Sequence, residues 1–317
     1  MRFLVSTAEA GLRLDAFLLR QKVVPSATAA RRAIAERMVS VAGRPGKKGQ
    51  HLGEGQLVEI APSSQDHVAP VPAADVPLVV LYADDDLVVV DKPAGLPSHP
   101  LRAGEGASAA GALLARFPEC AVASPDPREG GLVQRLDRGT TGVLVAARRR
   151  AIWPGLRDAL SAPDCEKTYF AEVVGRFPVV GAGEKDFVSP GARPGTLSVA
   201  APIGRVGRHG SRVKLGGGRQ PLPASTEIAL VEQRPASALV KARLCKGRTH
   251  QVRAHLAYLG IPVVGDTAYG ETTPDVEPPA LLHLHATAIA FKHPTTGQIL
   301  RIEAPLPTWA RTALQSG

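Results

Sequence analysis

The first sixty residues contain two kinds of apolar pattern, helical spacing followed by strand-like alternation. The first helix is indicated by three apolar residues at helical spacing: Leu14, Phe17 and Leu18. Ser26 can cap a second helix over Ala27–Arg37. Strand patterns follow at Val39–Val41 and Gln56–Ile60, separated by a Gly/Pro turn. The pattern predicts a small domain of two helices and a hairpin.

From Pro77 onward the pattern is rich in strands, with short helices and frequent Gly and Pro. The apolar runs and alternations predict strands over Leu87–Val90, Val143–Ala147 and Glu166–Gly175. A helix is expected from about Thr249 to Leu259 because Val252, Leu256 and Leu259 recur at helical spacing, and Gly260 ends it. Residues 202–220 have no such pattern and are expected to form a Gly-rich loop.

Composition shifts divide the chain into four parts. Residues 1–62 form a predicted basic domain, and residues 63–76, rich in Ser, Pro and Ala, form a predicted linker. Residues 77–310 form the large predicted domain, and residues 311–317 are expected to be a frayed tail.

The chain of 317 residues carries a formal net charge of +9, and its pI is near 9.8. Residues 1–62 hold ten Lys and Arg against five Asp and Glu. A basic balance of this size indicates a polyanionic partner, most simply nucleic acid, although a solubility effect is the alternative. The three scattered cysteines favour neither a disulfide framework nor a cysteine zinc site. With no signal peptide or long apolar run, a cytoplasmic protein without a membrane partner is expected.

Asp137 is the most informative acid because it stands between two arginines at a break in an apolar run, just before Gly-Thr-Thr-Gly. It is either a turn and capping residue or a charge held for chemistry. Lys92 allows two interpretations as well, either a group that holds a phosphate or an acid, or an ordinary turn lysine. Arg253 and His250 share one flank of the predicted helix. Arg253 is therefore either a rim residue or the counter-ion of an acid such as Asp137.

Two clusters of basic residues are candidates for RNA phosphate contacts. In the small domain they are Arg31, Arg32, Arg37, Lys47 and Lys48. In the predicted Gly-rich loop they are Arg205, Arg208, Arg212, Lys214 and Arg219. The alternatives are a solvated charged face for the first cluster and a mobile surface loop for the second.

A metal-dependent hydrolase is a further alternative. Its ligands would be His283 and His285, which alternate on a predicted strand, together with His250, His255 or Asp266. No HExxH motif or cysteine partner accompanies them, so hydrogen-bonded histidines are the commoner explanation and no metal is expected.

Five segments occur in one order: DKPAGLPSHP, QRLDRGTTG, KTYFAEVVG, GRTHQVRAHLAYLGIPVVGDTAYG and LHATAIAFKHPTTG. In this order and spacing the chain closely resembles the RluA-type family of RNA pseudouridine synthases. The part of the chain in front of these segments resembles the S4-type RNA-binding domain. It contains, in order, RLDAFL, a basic helix, VSVAGR and LGEGQLVEI. The resemblance covers about residues 12–307 and favours the catalytic interpretation of Asp137.

The resemblance implies an α+β fold, with a mixed, mainly antiparallel sheet flanked by helices and loops and a small α/β domain in front. It implies that Asp137 is the catalytic carboxylate, that Tyr169 stacks on a flipped uracil, and that Arg253 keeps Asp137 ionised. It further implies that Arg135 fills the vacated base stack and that Leu284 is an apolar wall.

The sequence departs from the family at Gln134, where members usually carry His; Gln can donate a hydrogen bond but cannot become charged. His250 and Lys92 are further candidates for substrate contact.

The implied activity is isomerisation of specific uridines in structured RNA. Ribosomal RNA is favoured over transfer RNA as the substrate, and the enzyme is expected to be a monomer. Isomerisation neither oxidises the base nor removes a group, so no cofactor is expected. The alternative is a non-catalytic RNA-binding or ribosome-assembly factor on the same fold, which loss of Asp137 or Arg253 would have favoured.

Overall fold

The structure is a computed structural model that describes residues 1–21, 23–24, 27–60, 69–100, 105–178, 185–207, 212–270 and 281–314. Backbone contacts divide the chain into two units, Met1–Val68 and Ala69–Gly317. Within the described ranges, no helix is both long enough and apolar enough to cross a membrane.

The first unit combines two helices with a four-stranded sheet of order β1-β4-β2-β3. Its elements are β1 (Arg2–Leu4), α1 (Leu14–Arg20), α2 (Ala27–Ala35), β2 (Val39–Val41), β3 (Arg44–Pro45) and β4 (Leu57–Ile60). The predicted apolar stripe of α1 is fully buried in the core. The second helix ends at Ala35, two residues before its predicted end, and Arg37 adopts a left-handed φ of 57°. The predicted cap Ser26 lies outside the described residues.

The second unit contains thirteen strands and four α-helices in its described part. The strands of its first half are β5 (Val79–Ala83), β6 (Leu87–Lys92), β7 (Thr141–Ala147), β8 (Glu166–Val174), β9 (Val188–Pro190), β10 (Thr196–Ala200) and β11 (Ile203–Val206). Those of its second half are β12 (Arg212–Leu215), β13 (Arg219–Leu222), β14 (Ser225–Gln233), β15 (Ser237–Leu244), β16 (Leu284–Lys292) and β17 (Ile299–Glu303). The helices are α3 (Ala109–Arg116), α4 (Trp153–Ala159), α5 (Gln251–Leu259) and α6 (Thr308–Leu314).

Ten of these strands form one large sheet of order β5-β6-β7-β16-β8-β15-β14-β10-β9, and β17 pairs with β16. Every pairing in it is antiparallel except that of β16 with β7. The predicted mixed, mainly antiparallel α+β fold is therefore confirmed.

Strands β6 and β7 are apolar throughout because both of their faces are covered. On β6, Val88 and Val90 pack in the core that contains α3, whereas Leu87 and Val89 pack in the core that contains α4. A strand buried on both faces has no polar alternation, and this explains why the continuous apolar runs predicted these strands well.

Strand β16 lies between β7 and β8 and so sets the spacing of the chain segments that precede them. Gly142 makes this approach possible: its φ is 103°, and a Cβ there would lie 2.1 Å from the carbonyl oxygen of Ala286. A side chain cannot fit at that distance, so the two strands require glycine at this position.

The predicted Gly-rich loop over residues 202–220 is instead a three-stranded antiparallel sheet, β12-β11-β13, in its described part. Glycines allow its strands to approach closely, since a Cβ at Gly204 would lie 2.3 Å from the carbonyl oxygen of Gly217. The basic side chains alternate with few apolar ones, and only Ile203 and Val213 supply buried apolar contacts from this sheet. That sparse apolar content explains why the pattern did not predict strands.

Candidate active site

A cleft of about 1110 Å³ opens in the second unit. Its walls include residues 95–99, 133–138 and 246–249, together with Lys167 and Tyr169 of β8. These segments are distant in sequence but flank strands of the same sheet: residues 133–138 precede β7, and residues 246–249 follow β15, which pairs with β8. The cleft contains the predicted residues Gln134, Arg135 and Asp137.

The loop that carries Asp137 is fixed by its neighbours. Ser98 Oγ accepts a hydrogen bond from the backbone N–H of Leu136 (3.0 Å) and donates one to its carbonyl oxygen (2.7 Å). The N–H of Thr140 donates to the carbonyl oxygen of Asp137 at 3.0 Å and closes the turn. Asp137 therefore has the turn geometry that its neighbours favour, and its side chain remains free for other contacts.

The carboxylate of Asp137 is bound by Arg253, whose Nη1 lies 2.9 Å from Oδ2. Arg253 is also held by Asp266, through Nε to Oδ2 and Nη2 to Oδ1, each at 2.7 Å. The Asp266 side chain has no exposed surface, whereas 25% of the Asp137 side chain is exposed. One guanidinium thus fixes two carboxylates, of which only Asp137 faces the cleft.

Burial would lower the pKa of Arg253, but the hydrogen bonds and charges of Asp266 and then Asp137 outweigh it and raise that pKa. Burial likewise raises the pKa of Asp266, but the contacts with Arg253 outweigh it and the net pKa is lowered. Both groups are therefore ionised at neutral pH, and the charge that holds Asp137 is permanent.

His250 is the second residue near the Asp137 carboxylate, with Nε2 3.6 Å from Oδ1. It does not belong to α5 as predicted; it precedes the helix with a left-handed φ of 55°. Its other ring nitrogen, Nδ1, is 3.0 Å from the hydroxyl of Tyr269. Burial lowers the pKa of His250, so the neutral ring is favoured.

Tyr169 projects from β8 into the cleft and is half-buried. It packs against two of the large apolar clusters of the second unit. Burial raises the pKa of its hydroxyl, and the nearby charge of Asp137 adds to the shift. Tyr169 is therefore a neutral aromatic ring beside an ionic pair.

Arg135 and Gln134 both line the cleft. Arg135 is exposed, and its Nη1 is 3.4 Å from Nε2 of His99. Gln134 is half-buried and donates a long hydrogen bond, 3.4 Å, from Nε2 to the carbonyl oxygen of Val143. Arg135 is therefore free to contact a ligand, whereas Gln134 is partly engaged by β7.

Lys92 does not reach the cleft, and the prediction that it contacts substrate is corrected. It is fully buried, and Nζ donates to the carbonyl oxygens of Pro93 (2.9 Å), Leu96 (2.8 Å) and Arg138 (3.2 Å). These three bonds use all the donors of an ammonium group. Burial lowers the pKa of Lys92 to about 8, against the opposing effect of nearby carboxylates. Lys92 ties the loop after β6 to the loop of Asp137.

Leu284 also differs from its prediction as an apolar wall of the substrate site. It is buried in the core cluster that includes Val252 and Leu256 of α5, and it pairs with Ala171 across β8. It does not line the cleft. Leu284 therefore stabilises the packing of α5 on the sheet.

The histidines considered for a metal site are held apart by separate partners. His283 Nδ1 contacts Glu172 at 2.7 Å, His285 Nδ1 contacts Thr141 at 2.7 Å, and His255 Nδ1 contacts Thr226 at 2.9 Å. Across the described part of the chain, no three His, Cys, Asp or Glu residues are grouped to hold a metal ion.

The predicted RNA-contacting residues lie in two places. In the first unit Arg31, Arg37, Lys47 and Lys48 are exposed, and Arg31 pairs with Asp15 at 3.2 Å; the side chain of Arg32 lies outside the described part. In the second unit Arg205, Arg212, Lys214 and Arg219 are exposed on the β12-β11-β13 sheet, whereas Arg208 lies outside the described residues.

Three residues were not predicted to support the acid, namely Ser98, Asp266 and Tyr269. Asp266 was considered only as a metal ligand. One local signal could have indicated its role. Asp266 is an acid in the loop after α5, and α5 carries an arginine beside its apolar stripe. Ser98 and Tyr269 contact the site through long-range packing that no local pattern reports.

Comparison with known proteins gives consistent matches. Residues 86–258 match the family described as RNA pseudouridylate synthase, and residues 12–58 match the S4 domain. The ribosomal large subunit pseudouridine synthase D of Nitrosomonas europaea is 34% identical over 97% of this chain and 85% of that protein. The synthase of the same name from Xanthomonas campestris pv. campestris is 37% identical over 80% and 73%. The ribosomal large subunit pseudouridine synthase C of Pasteurella multocida is 32% identical over 95% and 89%.

Among solved structures, human RNA pseudouridylate synthase domain containing 1 superposes with a TM-score of 0.55. It is 24% identical and covers 74% of this chain and 86% of that chain, so it supports the fold. The family matches and the curated relatives agree with the ordered motifs and with the S4-type domain predicted from sequence. The chain belongs to the RNA pseudouridylate synthase family.

Proposed function

We propose that this chain isomerises uridine to pseudouridine in ribosomal RNA, with Asp137 as the catalytic carboxylate. The observation that carries the proposal is the 2.9 Å contact between Arg253 and Asp137 at a cleft that also holds Tyr169. A non-catalytic RNA-binding factor would have no need of a carboxylate held in this way, and family membership supports an enzyme.

The reaction breaks the bond between N1 of uracil and C1′ of ribose and forms a bond between C5 and C1′. The hydrogen of C5 leaves as a proton, and N1 takes one up, so atoms and electrons balance without an external oxidant. Asp137 supplies the nucleophilic or basic oxygen for the first step. Arg253 holds that oxygen in place and balances its charge where water is scarce.

Uracil must leave the RNA stack to reach Asp137, at a cost of a few kcal/mol. Tyr169 offers a neutral aromatic face in the cleft on which the extruded base can stack. Arg135 is exposed at the mouth of the same cleft, so its planar guanidinium can enter the vacated position in the stack. These two side chains would offset the cost of base flipping.

RNA phosphates are proposed to contact basic residues of both units. The exposed candidates are Arg31, Arg37, Lys47 and Lys48 in the first unit and Arg205, Arg212 and Lys214 in the second. Arg32 and Arg208 are proposed with them from the sequence alone. Such contacts position a nucleic acid without reading its sequence. Gln134 and His250 are proposed to contact the substrate at the edge of the site. Gln134 lies in the cleft wall, and His250 lies beside Asp137.

Ribosomal RNA is proposed as the substrate because the three curated relatives described above are named as large-subunit ribosomal enzymes. We propose a monomer because Asp137, Tyr169 and Arg253 come from one chain. A cytoplasmic location is proposed on the free cysteines Cys120, Cys165 and Cys245. The proposed domain division is 1–62, a linker 63–76, a catalytic domain 77–310 and a tail 311–317.

The catalytic assignment is tested with RNA carrying tritium at C5 of uridine, which isomerisation releases to water. Asp137→Asn should lower release by at least about 1000-fold while RNA binding stays within twofold, because the amide keeps the shape but removes the reactive oxygen. Asp158→Asn, at an exposed position of α4 outside the cleft, is the matched control and should remain active. Undiminished release by Asp137→Asn would remove Asp137 from the mechanism.

The RNA class is tested by treating unmodified ribosomal RNA and transfer RNA separately with the wild-type enzyme. Product in ribosomal RNA is expected, and product confined to transfer RNA would overturn the ribosomal assignment. For the first unit, Lys47→Glu/Lys48→Glu in the full chain should weaken RNA binding. The slope of log Kd against log salt should fall by about 2, as expected for two lost phosphate contacts. An unchanged slope would contradict phosphate contacts at this pair.

A further inference from the structure

Tyr269 connects the basic sheet β12-β11-β13 to the Asp137 carboxylate. Its hydroxyl oxygen accepts a hydrogen bond from the backbone N–H of Val213 in β12 at 2.8 Å and lies 3.0 Å from Nδ1 of His250. The opposite ring nitrogen of that histidine is 3.6 Å from Oδ1 of Asp137. Two hydrogen bonds and a final 3.6 Å polar contact therefore connect β12 through two side chains to the carboxylate of Asp137.

This path favours one position for the proton of His250. Because the Tyr269 oxygen already accepts the N–H of Val213, the hydroxyl proton is available for donation to Nδ1 of His250. A neutral imidazole that accepts at Nδ1 carries its proton on Nε2. That proton then faces Asp137, whereas the other tautomer would direct a lone pair at the carboxylate.

Two guanidinium groups lie over the ring of Tyr269. The guanidinium carbon of Arg253 lies 5.2 Å from the ring centroid, and that of Arg212 in β12 lies 5.4 Å from it. The ring of His250 meets it edge to face, with centroids 5.6 Å apart. Tyr269 thus contacts both groups that hold Asp137 as well as the sheet that carries Arg212.

The backbone of Tyr269 is anchored by the acid that holds Arg253. Oδ1 of Asp266 accepts hydrogen bonds from the N–H groups of Ala268 (3.0 Å) and Tyr269 (3.1 Å) in addition to its contact with Arg253. The turn that carries Tyr269 and the guanidinium that binds Asp137 therefore share one buried anchor.

We propose that Tyr269 is a positioning residue for the isomerisation: it fixes His250 as the Nε2–H tautomer, so that an N–H dipole faces Oδ1 of Asp137 at 3.6 Å beside the hydrogen bond from Arg253, and it couples this arrangement to β12. The inference rests on the proposed function, since it assumes that Asp137 is the catalytic group. It also gives β12 a role beyond phosphate binding, because a shift of this strand would move the hydroxyl that sets the tautomer.

The test is Tyr269→Phe in the full-length enzyme, which keeps the aromatic ring with its two cation contacts and removes only the hydroxyl. We expect kcat to fall about 3- to 10-fold, the usual effect of losing a hydrogen bond between neutral groups, with KM within twofold. Tyr258→Phe is the matched control, since its hydroxyl contacts the carbonyl oxygen of Asp186 and not the site, and it should keep wild-type kcat.

Nitrogen-15 NMR of histidine-labelled enzyme provides the readout that a purely structural role would not change. The His250 signals, assigned by their loss in His250→Gln, should show a protonated Nε2 in wild type and a mixture of tautomers in Tyr269→Phe. His250→Gln places an N–H near the position of Nε2 without help from Tyr269. In that background Tyr269→Phe should therefore lower kcat by less than about twofold, because the hydrogen bond to be lost is absent.

Three results would overturn the inference: an unchanged kcat in Tyr269→Phe, a raised KM with unchanged kcat, or a lowered kcat with unchanged His250 signals. Each is distinct from failure of the proposed function. That failure would appear as full activity in Asp137→Asn. The three results above count against the role of Tyr269 when Asp137→Asn is inactive.

Discussion

Replacing Arg253 by Met tests whether one guanidinium stabilises two carboxylates of very different exposure. Arg253 contacts Asp266 twice at 2.7 Å and Asp137 once at 2.9 Å. Met keeps much of the length and apolar stem of Arg but carries no charge. Arg253→Met therefore leaves the fully buried Asp266 without its partner and Asp137 without its main donor.

The magnitude follows from the burial of Asp266. Removing one partner of a buried ion pair costs about 3–5 kcal/mol of unfolding free energy, because the remaining charge is uncompensated. Asp137 adds less, since a quarter of its side chain is exposed to water. In Arg253→Met/Asp266→Asn that buried charge is absent, and the Asn oxygen can still accept from the two backbone N–H groups of the turn. The double variant should regain at least about half of the loss.

Denaturant unfolding followed by tryptophan fluorescence measures this directly, because both tryptophans, Trp153 and Trp309, belong to the second unit. The pH adds a second test. In Arg253→Met, an unpaired Asp266 has a higher pKa in the folded than in the unfolded chain. Proton uptake by Asp266 in the folded chain therefore reduces the loss of unfolding free energy as pH falls, and this loss grows as pH rises. Both variants should be inactive in tritium release, because neither restores the donor to Asp137.

Two results would refute this reasoning. A loss of stability below about 1 kcal/mol in Arg253→Met would show that Asp266 does not depend on Arg253. A double variant no more stable than the single one would show that lost packing, and not an unpaired charge, causes the effect. Lys246→Met, at the rim of the cleft, is a control for loss of a cationic side chain and should keep wild-type stability.

Three further predictions concern other parts of the second unit. Lys92→Met should lower kcat about 10- to 100-fold with unchanged RNA affinity in binding assays, because the loop of Asp137 loses its tie to the loop after β6. Gly142→Ala should lower the yield of folded protein or its melting temperature, since its Cβ would clash with the carbonyl oxygen of Ala286, and normal melting would contradict this. Burial lowers the pKa of His255 and His285 to about 4 each, so the unfolded chain takes up protons first as pH falls. Unfolding free energy should thus fall between about pH 6.5 and 4 by up to about 3 kcal/mol per histidine, and His285→Asn should reduce the slope.

Local pattern predicted the elements that are buried on both faces or strongly amphipathic. Strands β6, β7 and β8 and helix α5 lie within a few residues of their predicted bounds because their apolar periodicity reflects burial. The β12-β11-β13 sheet was not predicted because glycine and arginine dominate its sequence. Its strands approach closely at glycines, which have no side chain, and not through apolar side chains that a pattern would reveal.

The site was predictable only in part, since its contacts are long-range. The residues around Asp137 left its role open between a turn and a catalytic group, and the structure gives it both a closed turn and an ion pair. The family motifs indicated Asp137, Tyr169 and Arg253, all of which lie at or beside the cleft. They could not indicate that Lys92 binds three carbonyls, because lysine at the end of a strand has the same sequence pattern whether it is buried or exposed.

The insertion of β16 between β7 and β8 has a consequence for how the enzyme is made. The loop of Asp137 and the strand of Tyr169 emerge from the ribosome early, yet the strand that must separate them is synthesised more than a hundred residues later. Pairings over such sequence distances form slowly. A nascent chain that stops before Leu284 would carry Asp137, Tyr169 and Arg253 and still lack the strand between β7 and β8, so the complete sheet beneath the cleft can form only when synthesis is nearly complete.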